Sequence, residues 1–314
     1  LIGGTLIEQI IKQRQQLNDK YKIEIQVAGL SNSKKMIFDA EGIDLNGWKN
    51  KIETSESHAD INAFVNRMIA ENLSNTIFID NTANDDVSKV YEKVLENSIS
   101  VVTSNKIATS GPIDVYKKLK SLASKKNVQF RYETNVGAGL PLISTLQNLI
   151  ASGDDILKIE AVMSGSVSYI FNNFTPGIKF SDLVTEAKAK GYTEPDPRDD
   201  LSGADVRRKV VILARECGSD ISSKDVDLES ALPDALMKIE TVEAFMKELP
   251  NYDDFFAKMN DEANSQGKVL RFIASTERGK AKVKIEAVDQ GSPFYSLQGS
   301  DNMFVITTQR YHVR

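Results

Sequence analysis

The stretch Gly191–Lys209 reads GYTEPDPRDDLSGADVRRK and sets Glu194, Asp196, Asp199, Asp200 and Asp205 against Arg198, Arg207, Arg208 and Lys209. Asp205 and Lys209 are four residues apart, so on a helix they share a face and the carboxylate can orient the ammonium. An ammonium held in this way can give a proton to an oxygen on which negative charge is building. The plainer alternative is a solvated acidic loop followed by a surface ion pair, worth about 0.3–0.5 kcal/mol. Pro195 and Pro197 stiffen the loop, which mere solvation does not require.

Four further segments carry candidate groups. Thr103-Ser104-Asn105-Lys106 closes an apolar run, and in an open α/β sheet the carboxyl ends of the strands face the ligand crevice. Lys106 is there either a point charge for a polar ligand or a solvated side chain. Ser31-Asn32-Ser33-Lys34-Lys35 follows the run Ile23–Gly29. Where a dinucleotide fold that prefers NAD places an acid on the ribose, this turn has hydroxyls and lysines, which suits NADP or accepts both; a solvated turn is the alternative. Glu133 precedes the Gly-rich turn Asn135–Pro141, NVGAGLP. Such a turn can gather carbonyls around a hard cation, or it can simply cap a helix. The opening Leu1-Ile2-Gly3-Gly4-Thr5 resembles a strand-to-helix turn but is too short for a full G-x-G-x-x-G element; a glycine pair capping a helix is the other reading.

The elements that must position these groups follow from periodicity. Strands are expected at Ile23–Gly29, Thr76–Asp80, Ser98–Thr103 and Val128–Tyr132, with helices at Leu6–Leu17, Ile61–Glu71, Val87–Leu95 and Pro112–Ala123. This alternation predicts a Rossmann-type parallel sheet with helices on both faces. The second half reads as helices near 142–151, 166–174, 180–190, 199–217, 241–249 and 252–265. Strands are expected there at Ile156–Met163, Val269–Thr276, Lys282–Val288 and Met303–Gln309. An α+β domain with a mixed sheet is expected, with the boundary between residues 133 and 134.

Over 314 residues the chain is 41% hydrophobic and 26% charged, with a net charge of −5. This is globular composition, and its acidity argues against a general nucleic-acid partner. No apolar run approaches the ~18 residues of a membrane helix, and no targeting segment is evident, so a cytoplasmic protein is expected. The single Cys217 and the two histidines, His58 and His312, offer neither an internal disulfide nor a His-based metal cluster.

Together these segments resemble homoserine dehydrogenase. GYTEPDPRDDLSGADVRRK, NVGAGLPLI, GSVSYIFNNF and SNKIA stand in that family's order and at similar spacings, and the resemblance extends over essentially the whole chain. LNGWKNKI, AVDQGSPF and VLRFIAS look like the branch in which the dehydrogenase is fused to an aspartokinase. The resemblance implies NADP- or NAD-dependent interconversion of L-homoserine and L-aspartate 4-semialdehyde, in threonine and methionine biosynthesis. It implies catalysis at Lys209 and Lys106 with Asp205 nearby, and substrate binding by Glu194 and Asp200 with Gly191, Tyr192 and Thr193. Cofactor contacts would come from Gly3, Gly4, Thr5, Ser31, Asn32, Ser33, Lys34, Thr82, Ala83, Ser104, Asn105 and Lys106. Glu133, Val136, Ala138 and Leu140 match a Na⁺ or K⁺ site that braces the hinge between domains. The face bearing Asp205 and Lys209 is expected to line the cleft between domains. A homodimer through the second domain is implied, where the helices are expected to cover one face of the sheet and leave the other to a partner. In the family pattern an opening strand precedes Gly3, and a Gly-rich turn and helix follow Arg314.

Overall fold

In a computed structural model, which describes residues 1–311, the chain divides into two compact units, Leu1–Tyr132 and Glu133–Arg314. His312 and the end of the Met303–Arg314 stretch lie outside the described residues.

In the first unit, β3 (Ile77–Asp80), β4 (Ser100–Thr103) and β5 (Phe130–Arg131) form a parallel sheet in the order β3-β4-β5. Phe78, Val101 and Phe130 turn to one face and are buried with Tyr91, Val94, Leu95 and Leu119. The opposite face carries Ile77, Ile79 and Val102, all exposed. Helices are expected on both faces, but among the described residues this one is left partly open; a short apolar run such as TIFID cannot by itself distinguish a half-buried strand from a fully buried one. Helix Ile61–Glu71 has the bounds read from its spacing, because the Asp60 carboxylate accepts the amides of Asn62 (2.8 Å) and Ala63 (2.9 Å) at its start.

Three expectations for this unit change. Gly3 and Gly4 are not in a strand-to-helix turn but in the first turn of a helix, Ile2–Tyr21, longer than the expected Leu6–Leu17. Ile23–Gly29 is not a strand of the parallel sheet. The strand there is β1 (Gly29–Ser31), paired antiparallel with β2 (Met36–Phe38) in a separate hairpin. A strand needs a neighbour to take its backbone groups, and Ile23 and Ile25 stand exposed instead. Val87–Leu95 is split into Asp85–Lys89 and Tyr91–Glu96.

The second unit is built on a mixed five-stranded sheet: β6 (Ile156–Val162), β7 (Val226–Leu228), β8 (Val269–Glu277), β9 (Lys280–Val288) and β10 (Met303–Thr308), in the order β10-β6-β8-β9-β7. All pairings are antiparallel except β7 with β9. β7 escapes the sequence reading because three residues carry no period. Helices Gly165–Asn173, Ala204–Glu216 and Asp253–Ser265 pack against β8. Phe180 stacks on Phe256 with centroids 3.8 Å apart, and Phe171 lies parallel to Phe272. The expected helix 199–217 is two helices, Pro197–Leu201 and Ala204–Glu216. Gly203 breaks it at φ +74°, where a Cβ would come within 2.9 Å of Leu228 and Phe272, so both the turn and the packing require glycine.

On the other sheet face the buried Arg271 guanidinium donates to the carbonyls of Phe294, Tyr295 and Leu297 and to those of Phe171 and Leu270. Burial lowers its pKa. This clamp folds the β9–β10 connection over Val162, Ile273 and Val288. The remainder of that face carries Lys158, Glu160, Lys284, Glu286, Val305 and Thr307. No described helix is long and apolar enough to cross a membrane.

Candidate active site

Helix Phe180–Ala189 ends where Gly191 turns to φ +70°. The Tyr192 amide returns to the Ala187 carbonyl at 2.9 Å, the αL ending that favours glycine. The loop that follows is tied at several points. Tyr192 meets Tyr169 edge-on at 5.0 Å, and Lys188 Nζ donates to the Pro195 carbonyl at 2.6 Å. Thr193 Oγ1 closes onto the Glu194 carbonyl at 2.9 Å. Asp196 caps helix Pro197–Leu201, which has proline in its first turn, and pairs with Arg198 at 2.6 Å. That guanidinium is nearly buried, lies over the Phe245 ring at 5.3 Å and donates to the Ile239 carbonyl. Its hydrogen bonds, and then its charge, hold the Asp196 carboxyl below the usual carboxylate range.

Two side chains expected to act come together at the end of β6. Lys209 Nζ lies 2.9 Å from Asp205 Oδ2 and 2.8 Å from the carbonyl of Met163. The lysine side chain is 16% exposed and the aspartate 47%, so the carboxylate faces water while the ammonium is half enclosed. Asp200 reaches the same strand end. Its Oδ1 accepts from Ser166 Oγ at 2.6 Å, and Ser166 Oγ lies 3.1 Å from Ser164 Oγ. Its Oδ2 accepts the Glu194 amide at 2.8 Å. The Glu194 backbone is thereby fixed while its side chain remains exposed. Of the three ammonium protons on Lys209, two are directed at Asp205 and Met163, which leaves one for a substrate oxygen. Met163, Ser164 and Ser166 were not singled out from the sequence. The available signal was a polar Ser-Gly-Ser turn directly after an apolar strand.

Glu133 opens a 3₁₀ turn, Glu133–Asn135. Its carboxylate accepts the amides of Ile143 (2.6 Å) and Ser144 (2.9 Å), capping helix Leu142–Ala151. Between them, Gly137 and Ala138 hold φ +81° and +52°, and the Leu140 carbonyl accepts the Leu142 amide at 2.9 Å. The left-handed Ala138 costs roughly 1–2 kcal/mol. Such conformations persist where the surroundings hold them, often at ligand sites. The donor set is a fixed carboxylate beside a turn of carbonyls, which fits a hard monovalent cation.

The first unit supplies its own polar rim. Thr82 and Ala83 follow β3, and Ser104, Asn105 and Lys106 follow β4. Gly3 lies against Asn81, its notional Cβ 3.8 Å from the amide, so the first turn of the Ile2–Tyr21 helix, with Gly4 and Thr5, stands beside the β3 end. Ser31–Lys35 forms the β1–β2 turn, where Asn32 Oδ1 accepts the amides of Lys34 and Lys35, each at 2.8 Å. Ser33 and Lys34 are exposed there. Amides at a helix start, small residues in its first turn and a basic turn after a strand are the groups a dinucleotide phosphate needs. The Asn105 side chain is buried, its amide donating to Asp80 and to the Asn84 carbonyl.

Two family models cover the chain: "Homoserine dehydrogenase, NAD binding domain" over residues 1–133 and "Homoserine dehydrogenase" over 141–313. The chain is 40% identical to the homoserine dehydrogenase of Schizosaccharomyces pombe, covering 100% of this chain and 86% of the relative. It is 42% identical to the bifunctional aspartokinase/homoserine dehydrogenase 1, chloroplastic, of Zea mays, over 99% of this chain and 34% of the relative. The chain thus spans about a third of the length of such bifunctional relatives. Among solved structures, a Candida auris protein of unknown function matches with TM-score 0.89 and 36% identity, over 96% of this chain and 86% of that one. A putative homoserine dehydrogenase from Archaeoglobus fulgidus shares the fold, with TM-score 0.75 and 22% identity over 96% of this chain and 85% of that one.

Proposed function

The chain belongs to the homoserine dehydrogenase family of NAD(P)-dependent oxidoreductases, and from that premise we propose that it interconverts L-homoserine and L-aspartate 4-semialdehyde through the strand-end site of its second unit. The observation that carries this reading is the Lys209 ammonium, held by Asp205 and the Met163 carbonyl beside the loop that presents Glu194. When bound, the dinucleotide supplies hydride exchange at the substrate carbon. Lys209 gives a proton to the carbonyl oxygen as charge builds there and takes it back in the reverse direction. Asp205 and Met163 fix the ammonium. Glu194 binds the substrate ammonium, Asp200 holds the Glu194 backbone, and Gly191, Tyr192 and Thr193 shape the loop. Lys106 is assigned as a second catalytic lysine.

The test is a homoserine-dependent rise in absorbance at ~340 nm with NADP, the absorbance of the reduced nicotinamide produced by hydride transfer. A non-catalytic module that keeps the fold gives none. We further propose a cytoplasmic enzyme, fused in its full-length form to an aspartokinase.

The cofactor is NADP at least as readily as NAD, because Ser31, Asn32, Ser33, Lys34 and Lys35 present no acid to repel a 2′-phosphate. Comparison of kcat/KM for the two is expected to favour NADP or neither. A preference for NAD above about tenfold, or ~1.4 kcal/mol, contradicts the proposal. The remaining contacts assigned to it are Gly3, Gly4, Thr5, Thr82, Ala83, Ser104 and Lys106.

A Na⁺ or K⁺ ion is assigned to the turn of Val136, Ala138 and Leu140 beside Glu133, with a structural role. A crystal grown with thallium(I) in place of potassium is expected to show anomalous density there. Density elsewhere only, with the carbonyls diverging, refutes the assignment.

The sheet face bearing Lys158, Glu160, Val305 and Thr307 is proposed as a homodimer surface, since the helices pack against the other face. Its ion pair, Lys158 to Glu160 at 2.8 Å, is only partly exposed. Sedimentation at micromolar concentration is expected to give about twice the monomer mass; a species of monomer mass counts against it.

A further inference from the structure

A buried carboxylate at the end of β3 organises both strand-end loops of the first unit. Asp80 and Asn105 are almost wholly buried, as are Tyr91 and Thr103. Asp80 Oδ1 accepts the Thr82 amide at 2.7 Å, and Oδ2 accepts from Tyr91 Oη at 2.5 Å and from Asn105 Nδ2 at 3.0 Å. Asn105 then spans the gap between the loops. Its Nδ2 also donates to the Asn84 carbonyl at 2.9 Å, and its Oδ1 accepts the Ile107 amide at 3.0 Å. Thr103 Oγ1 donates to the Asp80 carbonyl at 3.1 Å and accepts the Asn105 amide at 2.9 Å. Both acceptors of Nδ2 are oxygens, which fixes which way the amide points. Burial, and then the Asp80 charge, push the Tyr91 phenol up from its ordinary value, so Tyr91 remains a donor to the carboxylate. A buried carboxylate without such partners would be strongly unfavourable. Two of the partners here, Thr82 and Asn105, belong to the two loops, and the third, Tyr91, opens the helix Tyr91–Glu96.

We propose that Asp80 and Asn105, with Tyr91, are positioning residues that fix the 82–84 loop and the 104–107 turn relative to one another, and that the Asn105 side chain holds the nicotinamide-side contacts in place without touching the dinucleotide. This rests on the reading of the first unit as the NAD(P)-binding half and changes the role of one residue in it. Thr82, Ala83, Ser104 and Lys106 remain the groups that approach the cofactor. The side chain that joins their two loops is turned into the carboxylate.

The test is a double-mutant cycle on the full protein. NADPH affinity is read by fluorescence titration, homoserine KM by steady-state kinetics, and folding by thermal shift. Asn105→Ala and Asp80→Asn are each expected to raise the NADPH dissociation constant about tenfold, with homoserine KM within about twofold of wild type. The double variant is expected to be no more than about threefold worse than the weaker single, because both changes break one unit. Should Asp80→Asn fail to fold, Tyr91→Phe takes its place in the cycle, with a rise of about threefold expected.

Effects that multiply would show Asn105 meeting the dinucleotide independently of Asp80, and the inference would be overturned. It is overturned equally if Asp80→Asn or Tyr91→Phe folds and binds NADPH as wild type does, or if homoserine KM rises in step with the dissociation constant. A wild-type protein that binds neither dinucleotide would instead refute the cofactor reading itself.

Discussion

Lys209→Ala is expected to lower kcat by about 10²–10⁴-fold, the scale of a lost general acid–base group, while NADP affinity stays within about threefold. The ammonium is the donor assigned to the substrate oxygen, and its removal leaves a carboxylate and a carbonyl at the same strand end. Neither can donate a proton to a developing alkoxide, and Asp205 would repel it. The effect falls on the chemical step because charge on the oxygen appears only as the reaction proceeds. Cofactor affinity is spared because the groups assigned to the dinucleotide lie in the first unit. A variant that kept more than about a tenth of wild-type kcat would remove Lys209 from the role, and Lys106 would become the better candidate.

Glu194→Gln is expected to act on the other parameter and raise KM for homoserine by about tenfold, with kcat within about threefold. A hydrogen bond between charged groups contributes about 1.5–3 kcal/mol, and tenfold corresponds to about 1.4 kcal/mol. The lower end applies because the Glu194 side chain is exposed and screened by water. The substitution keeps the backbone bond to Asp200, so the loop stays in place and the loss reports the carboxylate charge alone. A KM within twofold of wild type, or a fall in kcat at unchanged KM, would show that the substrate ammonium binds elsewhere.

What could be read in advance follows the range of the interactions involved. Helix Ile61–Glu71 was legible to the residue because its apolar spacing is local, and the structure adds the Asp60 cap that fixes its start. The pairing of Asp205 with Lys209 was legible for the same reason, since one helical turn separates them. The Met163 carbonyl that completes the lysine's surroundings lies 46 residues away in sequence, and no pattern along the chain points to a backbone oxygen. Asn105 illustrates the same limit. The family resemblance gave it a cofactor contact, while the direction of its side chain is set by Asp80, 25 residues earlier. Ile23–Gly29 failed differently. The alternation was strand-like, but strand formation depends on a neighbouring strand, and only Gly29 to Ser31 pairs with one. The break at Gly203 was signalled by Ser202-Gly203 inside a helical pattern. Its cause, the approach of Leu228 and Phe272, is tertiary.

The central claim is that one substrate molecule meets Lys209 at its reacting oxygen and Glu194 at its ammonium. A crystal structure of the ternary complex with NADP and homoserine tests this directly. The account predicts the homoserine hydroxyl within hydrogen-bond distance, about 2.6–3.2 Å, of Lys209 Nζ, and the homoserine ammonium paired with the Glu194 carboxylate. A hydroxyl facing Lys106, with Lys209 still closed onto Asp205 and Met163 and Glu194 in solvent, would contradict it.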